Sequence, residues 1–232
     1  MVVLVHGAMD RARSFRRALE RLPDLHVVAY DRRGYGGSVG AGPPTGLAQH
    51  VDDLLAVLDG RRATVVAHSF GSHIAVLASF ARPELMKSLG LWEPPVPWMD
   101  FWPERSKRVV AKIVAAGDPG AVAEAGARSM LGDEGWARLS DEARAQRRAE
   151  GQAVVTDMAS ELEPLYDPGD VRVPCLIGYG GGTWPYSQDA AQRVAATIGC
   201  ETFVVEGAPH MGHATHPDGF AEFVRRAIAV GT

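Results

Sequence analysis

With 232 residues, 46% of them hydrophobic, the chain is long enough to bury a large core and to form one α/β domain that carries an insertion. Its 24 Lys and Arg are scattered among 28 Asp and Glu, for a formal charge of −4, so no basic footprint points to nucleic acid or to an anionic membrane surface. No apolar run approaches the roughly 18 to 20 residues that span a bilayer, and the first one is too short and lacks the basic start of a signal peptide. A soluble, cytoplasmic protein is expected.

Short Val/Ile/Leu-rich runs alternate with amphipathic stretches, the pattern of βαβ units around a parallel sheet. In chain order, strands are expected at 2–5, 26–30, 64–67, 89–92, 175–179 and 202–206. The intervening helices fall at 14–21, 45–58, 70–80, 188–198 and 217–230, with Asp52 and Asp53 on the solvated face of one of them. After Glu93 the alternation stops. Residues 94–170 are punctuated by proline and then helical in period, with helices expected at 103–116, 120–130 and 139–158. Val171-Arg172-Val173-Pro174 returns the chain to the sheet, so a core of 1–93 and 171–232 is interrupted by an insertion over 94–170.

The motif richest in chemistry is Ala67-His68-Ser69-Phe70-Gly71, set between the β-branched run Thr64-Val65-Val66 and a helical segment. A serine on so sharp a strand-to-helix turn is lifted out of the sheet with its Oγ exposed and the next N–H free, which is the geometry of a nucleophile. Small residues must flank it; Gly71 meets that demand and Ala67 meets it less fully than glycine would. Two further blocks raise the motif above chance. His6-Gly7-Ala8 follows the first strand, where the N–H of Ala8 can join that of Phe70 in holding a tetrahedral oxyanion. Gly207-Ala208-Pro209-His210 follows the last strand, where a histidine can reach across the sheet tips toward the serine.

These blocks, with Tyr30-Asp31-Arg32-Arg33-Gly34-Tyr35-Gly36-Gly37-Ser38 and Leu91-Trp92-Glu93-Pro94-Pro95, resemble the α/β-hydrolase superfamily with a helical lid inserted after the sixth strand. The resemblance covers nearly the whole chain except the lid. It implies a mainly parallel twisted sheet of about six strands with helices on both faces; the family commonly opens with an antiparallel hairpin, whereas this sequence starts on the His-Gly strand, so an essentially parallel sheet is expected. It implies Ser69 as nucleophile and His210 as base, in the order serine, acid, histidine. The acid departs from the pattern. Where relatives carry Asp in Gly-x-x-Asp, this chain has Thr183, so Glu93, at the place some relatives use, is the expected acid; Asp189, or no acid at all, are the alternatives.

A lid over the strand ends roofs Ser69, since ligands of open parallel sheets bind there. Its hinge is aromatic, and Trp92, Trp98, Phe101, Trp102 and, on the Gly-rich loop, Trp184 are expected to line an apolar substrate wall, each with lid-to-core packing as the plainer role. Gly180-Gly181-Gly182 lacks the Lys-Ser/Thr of a phosphate loop and reads as a flexible connection. His68 is expected to pack beneath the serine, and His213 is the fallback base. Neither the spacing of His210, His213 and His216 nor that of Cys175 and Cys200 marks a metal site, and no cofactor is called for. Asp31 is expected to pair locally in its turn. The expected function is hydrolysis of a small, largely apolar ester-type substrate through an acyl-enzyme, in the manner of a carboxylesterase or lactonase. Carbon–carbon bond or thioester cleavage on the same residues, or a low-turnover binding protein with a hydrolase shell, are the alternatives. Haloalkane and epoxide chemistry, which the resemblance ties to an aspartate nucleophile, is disfavoured by Ser69. Substrate identity and oligomeric state are not legible.

Overall fold

The computed structural model describes the backbone of residues 1–232 and every side chain except that of Met130. Six strands, β1 (Val2–Val5), β2 (Val27–Ala29), β3 (Ala63–His68), β4 (Met86–Trp92), β5 (Cys175–Gly180) and β6 (Glu201–Val205), form one sheet in the order β2-β1-β3-β4-β5-β6. Every neighbouring pair is parallel. The central strands are buried along almost their whole length, as a sheet covered on both faces requires, whereas β6 at the edge is largely exposed.

Period-two alternation splits the core into two layers. Val3, Val5, Val65, Leu89 and Ile177 face helices α2 (Leu47–Leu58), α3 (Gly71–Ala81) and α8 (Pro185–Ile198). Val2, Leu4, Val66, Trp92 and Leu176 face α1 (Arg16–Leu19) and α10 (Pro217–Ala229) through Phe15, Phe220 and Phe223. Strand order reverses between β1 and β3, so the crevice of this sheet opens at the carboxyl ends of those two strands. His6-Gly7-Ala8 leaves one of them and Ser69 the other.

Between β4 and β5 lie α4 (Glu104–Val114), α5 (Pro119–Ala137), α6 (Asp141–Ala149) and α7 (Gly151–Ser160). Two expectations are corrected here. The helix expected to end at 130 continues to Ala137 past a kink at Gly132. The single helix expected over 139–158 is two, broken at Glu150; the second starts at Gly151, whose lack of a side chain lets the Pro119 carbonyl at the start of α5 lie against it. The short helix α9 (Gly212–Thr215), between His210 and α10, was not expected.

Candidate active site

Hydrogen bonding at the strand ends puts the two polar residues on a common level. The Ser69 amide donates to the Trp92 carbonyl at 2.8 Å and the Glu93 amide to the Gly178 carbonyl at 2.8 Å, so each continues the parallel ladder by one residue before its chain turns away. Both turn through left-handed backbone, Ser69 at φ 50° and Glu93 at φ 47°. Such a conformation costs a non-glycine residue on the order of 1 kcal/mol or more and is maintained only where the surroundings enforce it. Of the four non-glycine residues with positive φ, Met9 is a third beside these strand ends; Asp59 merely ends α2. Gly71 follows the elbow because a Cβ there would sit 2.7 Å from the Val5 carbonyl oxygen.

His210 must come from beyond β6, two strands away from Glu93, and the glycine run makes that crossing possible. Side chains on Gly180 or Gly182 would collide with the carbonyls of Ala208 and Gly207, while the Gly181 and Gly182 amides donate to Val205 and Ala208 at 2.9 Å. The expected flexible connection is instead an ordered backbone-on-backbone contact. Across it, His210 Nδ1 donates to Glu93 Oε2 at 2.6 Å. Glu93 accepts two more hydrogen bonds, from the Gly180 amide at 3.0 Å and from Thr183 Oγ1 at 2.9 Å. Its side chain is 1% exposed and that of His210 is 24% exposed. With the proton on Nδ1, the Nε2 of His210 keeps its lone pair. Its other bonds run through its carbonyl, which accepts from His68 Nε2 and Trp92 Nε1; none is to Ser69, and catalytic hydrogen bonds of this kind commonly close only with substrate bound.

Thr183 is the residue that sequence reasoning undervalued: unable to carry charge, it donates to the carboxylate that does. Its small hydroxyl at the family's acid position was the available signal. Asp189, the alternative acid, lies on the surface of α8 paired with Arg193 at 2.8 Å. His213, the fallback base, is fully buried with Nε2 on Asp10 and Ser14, away from Glu93. His68 packs between the His210 and His213 rings, at centroid separations of 4.7 and 4.3 Å. Burial first, and the neighbouring histidines after it, push its pKa well down. Asp31 accepts from the amides of Ala12 and Gly37, within its turn and the neighbouring loop.

The aromatic residues divide. Trp92 does not line a wall: Glu93 points into the crevice, so by strand alternation its predecessor points to the opposite face, where Trp92 is fully buried on Phe220 and Phe223. Trp98 packs on His73 and Tyr166 and lines a cavity of 360 Å³ whose other walls are Met99, Pro164, Leu165, Tyr166 and Asp167, with none of Ser69, Glu93 or His210 among them. Phe101 lies beneath the Arg193 guanidinium. Trp102, Tyr186 and Trp184 form a row whose last ring, 53% exposed, stands 5.4 Å from that of His210. Tyr186 was missed; its signal was an aromatic two residues beyond Trp184 at a proline-started helix.

Among the described residues, the amides of Ala8 and Phe70 donate to no acceptor. Behind Ala8, His6 sets the loop: its Nε2 accepts the Arg32 amide at 2.9 Å, so its proton sits on Nδ1, which donates to the Gly7 carbonyl at 2.8 Å. Burial, and then the Arg32 charge, push the His6 pKa from 6.5 down to about 4 against the pull of Asp10 and Asp31. Because the folded value lies below the unfolded one, the stability that neutral His6 contributes is complete above pH 6.5 and is lost as pH falls through about 4. The contribution is about 3 kcal/mol, and the depressed His50 and His68 act with the same sign. Urea midpoints are expected to fall steadily from pH 7 to 4.5, and a midpoint constant over that range contradicts the assignment.

A parallel sheet crossed by helices, with an elbow serine at its switch point and a histidine returned by the last strand, defines an α/β-hydrolase. The chain belongs to the alpha/beta hydrolase family, whose model matches residues 2–223. It is 34% identical over 139 residues to Lipase LipV of Mycobacterium tuberculosis, an alignment covering 59% of this chain and 51% of that protein. It is 33% identical over 101 residues to the human serine hydrolase-like protein, covering 41% and 50%. The chain thus spans about half the length of these curated relatives. Among solved structures, a hydrolase from Oleispira antarctica superimposes with a TM-score of 0.74 at 20% identity over 98% of this chain and 90% of that one. A bromoperoxidase from Bacillus anthracis gives 0.74 at 20% over 98% and 91%. At these identities the shared property is the fold. No helix among the described residues is long and apolar enough to cross a membrane.

Proposed function

We propose that this chain is a serine hydrolase that cleaves a small, largely apolar ester through an acyl-enzyme, with Ser69 as nucleophile, His210 as general base and Glu93 as its orienting acid. The observation that carries the reading is the 2.6 Å bond from His210 Nδ1 to Glu93, which leaves Nε2 as the acceptor for a serine proton. Nε2 takes that proton as Ser69 Oγ bonds to the carbonyl carbon, and the unpaired amides of Ala8 and Phe70 receive the oxyanion. Collapse expels the alcohol with the proton from His210, and water, activated by the same nitrogen, then releases the acid. Residues 94–170 act as a lid, and the row Trp102, Tyr186 and Trp184 supplies an apolar wall beside the base. The lipase-named relative supports the ester class.

Labelling with a fluorophosphonate, read by peptide mass, is expected to modify Ser69 rapidly. A panel of short and long acyl esters, lactones and thioesters is expected to show turnover strongest on short apolar esters. Neither labelling nor turnover would make the chain a binding protein with a hydrolase shell.

A further inference from the structure

The Gly7–Ala8 peptide is gripped from behind. A trans peptide points its C=O and N–H in opposite directions, so whatever holds the Gly7 oxygen also aims the Ala8 hydrogen. That oxygen accepts two hydrogen bonds, from His6 Nδ1 at 2.8 Å and from Arg32 Nη2 at 3.0 Å. Arg32 is fully buried, and its Nε donates to the His6 carbonyl at 3.0 Å, so the guanidinium spans the whole turn. A carbonyl loaded by two donors, one of them cationic, polarises its amide and strengthens the N–H on the far side.

A buried guanidinium needs a counter-charge, and the core strands supply none. It comes from α7 of the insertion: Asp157 Oδ2 takes the second Nη2 hydrogen at 2.7 Å. The same carboxylate accepts from Tyr35 Oη at 2.6 Å and lies 3.0 Å from His50 Nε2, so it is held by three side chains from two core elements, the turn after β2 and helix α2. Burial opposes its ionisation, but the Arg32 charge and His50 hold its pKa down to about 2. A second buried carboxylate at the start of α7, Glu150, accepts from Arg11 Nε at 2.6 Å and from the Gly36 amide at 2.8 Å. Arg11 lies three residues past Ala8 on the same loop. The inserted helices therefore reach the loop that follows β1 through two buried anions, Glu150 directly on Arg11 and Asp157 by way of Arg32, not through apolar contact alone.

We infer that Asp157 and Arg32 are positioning residues through which the seating of the inserted helices sets the Ala8 amide for the oxyanion. The inference rests on the hydrolase reading for its catalytic meaning, while the mechanical link can be measured without any turnover. With α7 seated, Arg32 is oriented and the Ala8 N–H faces Ser69; with α7 displaced, Arg32 loses its partner and the amide loses its aim.

The test compares wild type with Asp157→Asn, which keeps shape and removes the charge, and with the double variant Arg32→Met/Asp157→Leu. The double variant removes both charges together and so avoids the unpaired buried ion that could unfold a single one. Hydrogen exchange of peptides covering residues 4–12 is expected to speed up in both variants while the α10 peptides stay unchanged; unaltered exchange at 4–12 overturns the link. On the best ester of the panel, kcat is expected to fall about ten- to hundred-fold with KM within about three-fold, since one misaligned oxyanion donor weakens the transition state selectively. Affinity for a trifluoromethyl ketone, whose adduct places an oxyanion in the same position, should fall in parallel with kcat/KM. A folded double variant with wild-type kcat, or a loss of kcat without loss of ketone affinity, overturns the positioning role. A wild type that turns over no ester yet shows the exchange difference counts against the hydrolase reading alone and supports the link.

Discussion

Substitution of Ser69 by alanine is expected to lower kcat by about 10⁴- to 10⁶-fold while leaving the molecule folded. The size follows from what remains: the oxyanion amides and the binding wall still act, but no covalent intermediate can form, and His210 has only water to activate. The fold should survive because the Ser69 contacts seen here are those of its backbone, the amide to Trp92 and the carbonyl from the Ser72 amide. Alanine keeps both, at the same left-handed φ that serine already tolerates. Steady-state rates on a chromogenic ester, with circular dichroism and thermal melts on the same sample, make the check. Retention of wild-type turnover by a folded variant would remove Ser69 from the mechanism.

Glu93→Gln is expected to cost about 10⁴-fold in kcat with a much smaller change in KM. The reason is one of donors and acceptors. Glu93 Oε1 meets the Gly180 amide, and Oε2 meets His210 Nδ1 and Thr183 Oγ1, so every group facing this side chain can donate. A glutamine offers one oxygen. If that oxygen keeps Gly180, the NH₂ faces Nδ1 and drives the imidazole proton to Nε2, where it blocks uptake of the serine proton; if it keeps His210, two N–H groups confront each other at Gly180. Either way a buried donor loses its acceptor, which should cost about 1–3 kcal/mol. For a chain of this size that is a fall in Tm of several degrees. An unchanged rate in a folded Glu93→Gln variant would leave the histidine without an orienting acid and return the reading to a serine–histidine pair.

How much of this was legible in the chain alone depends on the range of the contact involved. The six strands lie within a few residues of their expected bounds, because short apolar runs set between turn residues announce themselves, at the exposed edge strand β6 as well as in the buried centre. Ser69, with its small neighbours, is a local motif and needs no tertiary knowledge. Glu93 and His210 could be placed at strand tips by their order, and the structure brings them together. What failed, failed through contacts that local sequence does not encode. The helix expected at 139–158 breaks just before Gly151, where the chain meets Pro119, over thirty residues earlier. Trp92 was misassigned because aromatic clustering was read without counting which face of the strand each position takes. Nothing local singled out Arg32 within its turn, because its decisive partner lies 125 residues downstream. Gly180–Gly182 looked mobile for want of side chains, when the absence of side chains is what lets another backbone rest upon it.

That last contact bears on how the proposed relay keeps its spacing. Since Glu93 follows β4 and His210 arrives past β6, the separation between their backbones is gauged by the thickness of main chain stacked over the tip of β5. Gauged in this way, the pair has no slack to lose: warming or dilute denaturant should leave the Glu93–His210 bond intact until the amides of Gly181 and Gly182 let go, so activity and the β5–β6 end of the sheet should melt as one unit.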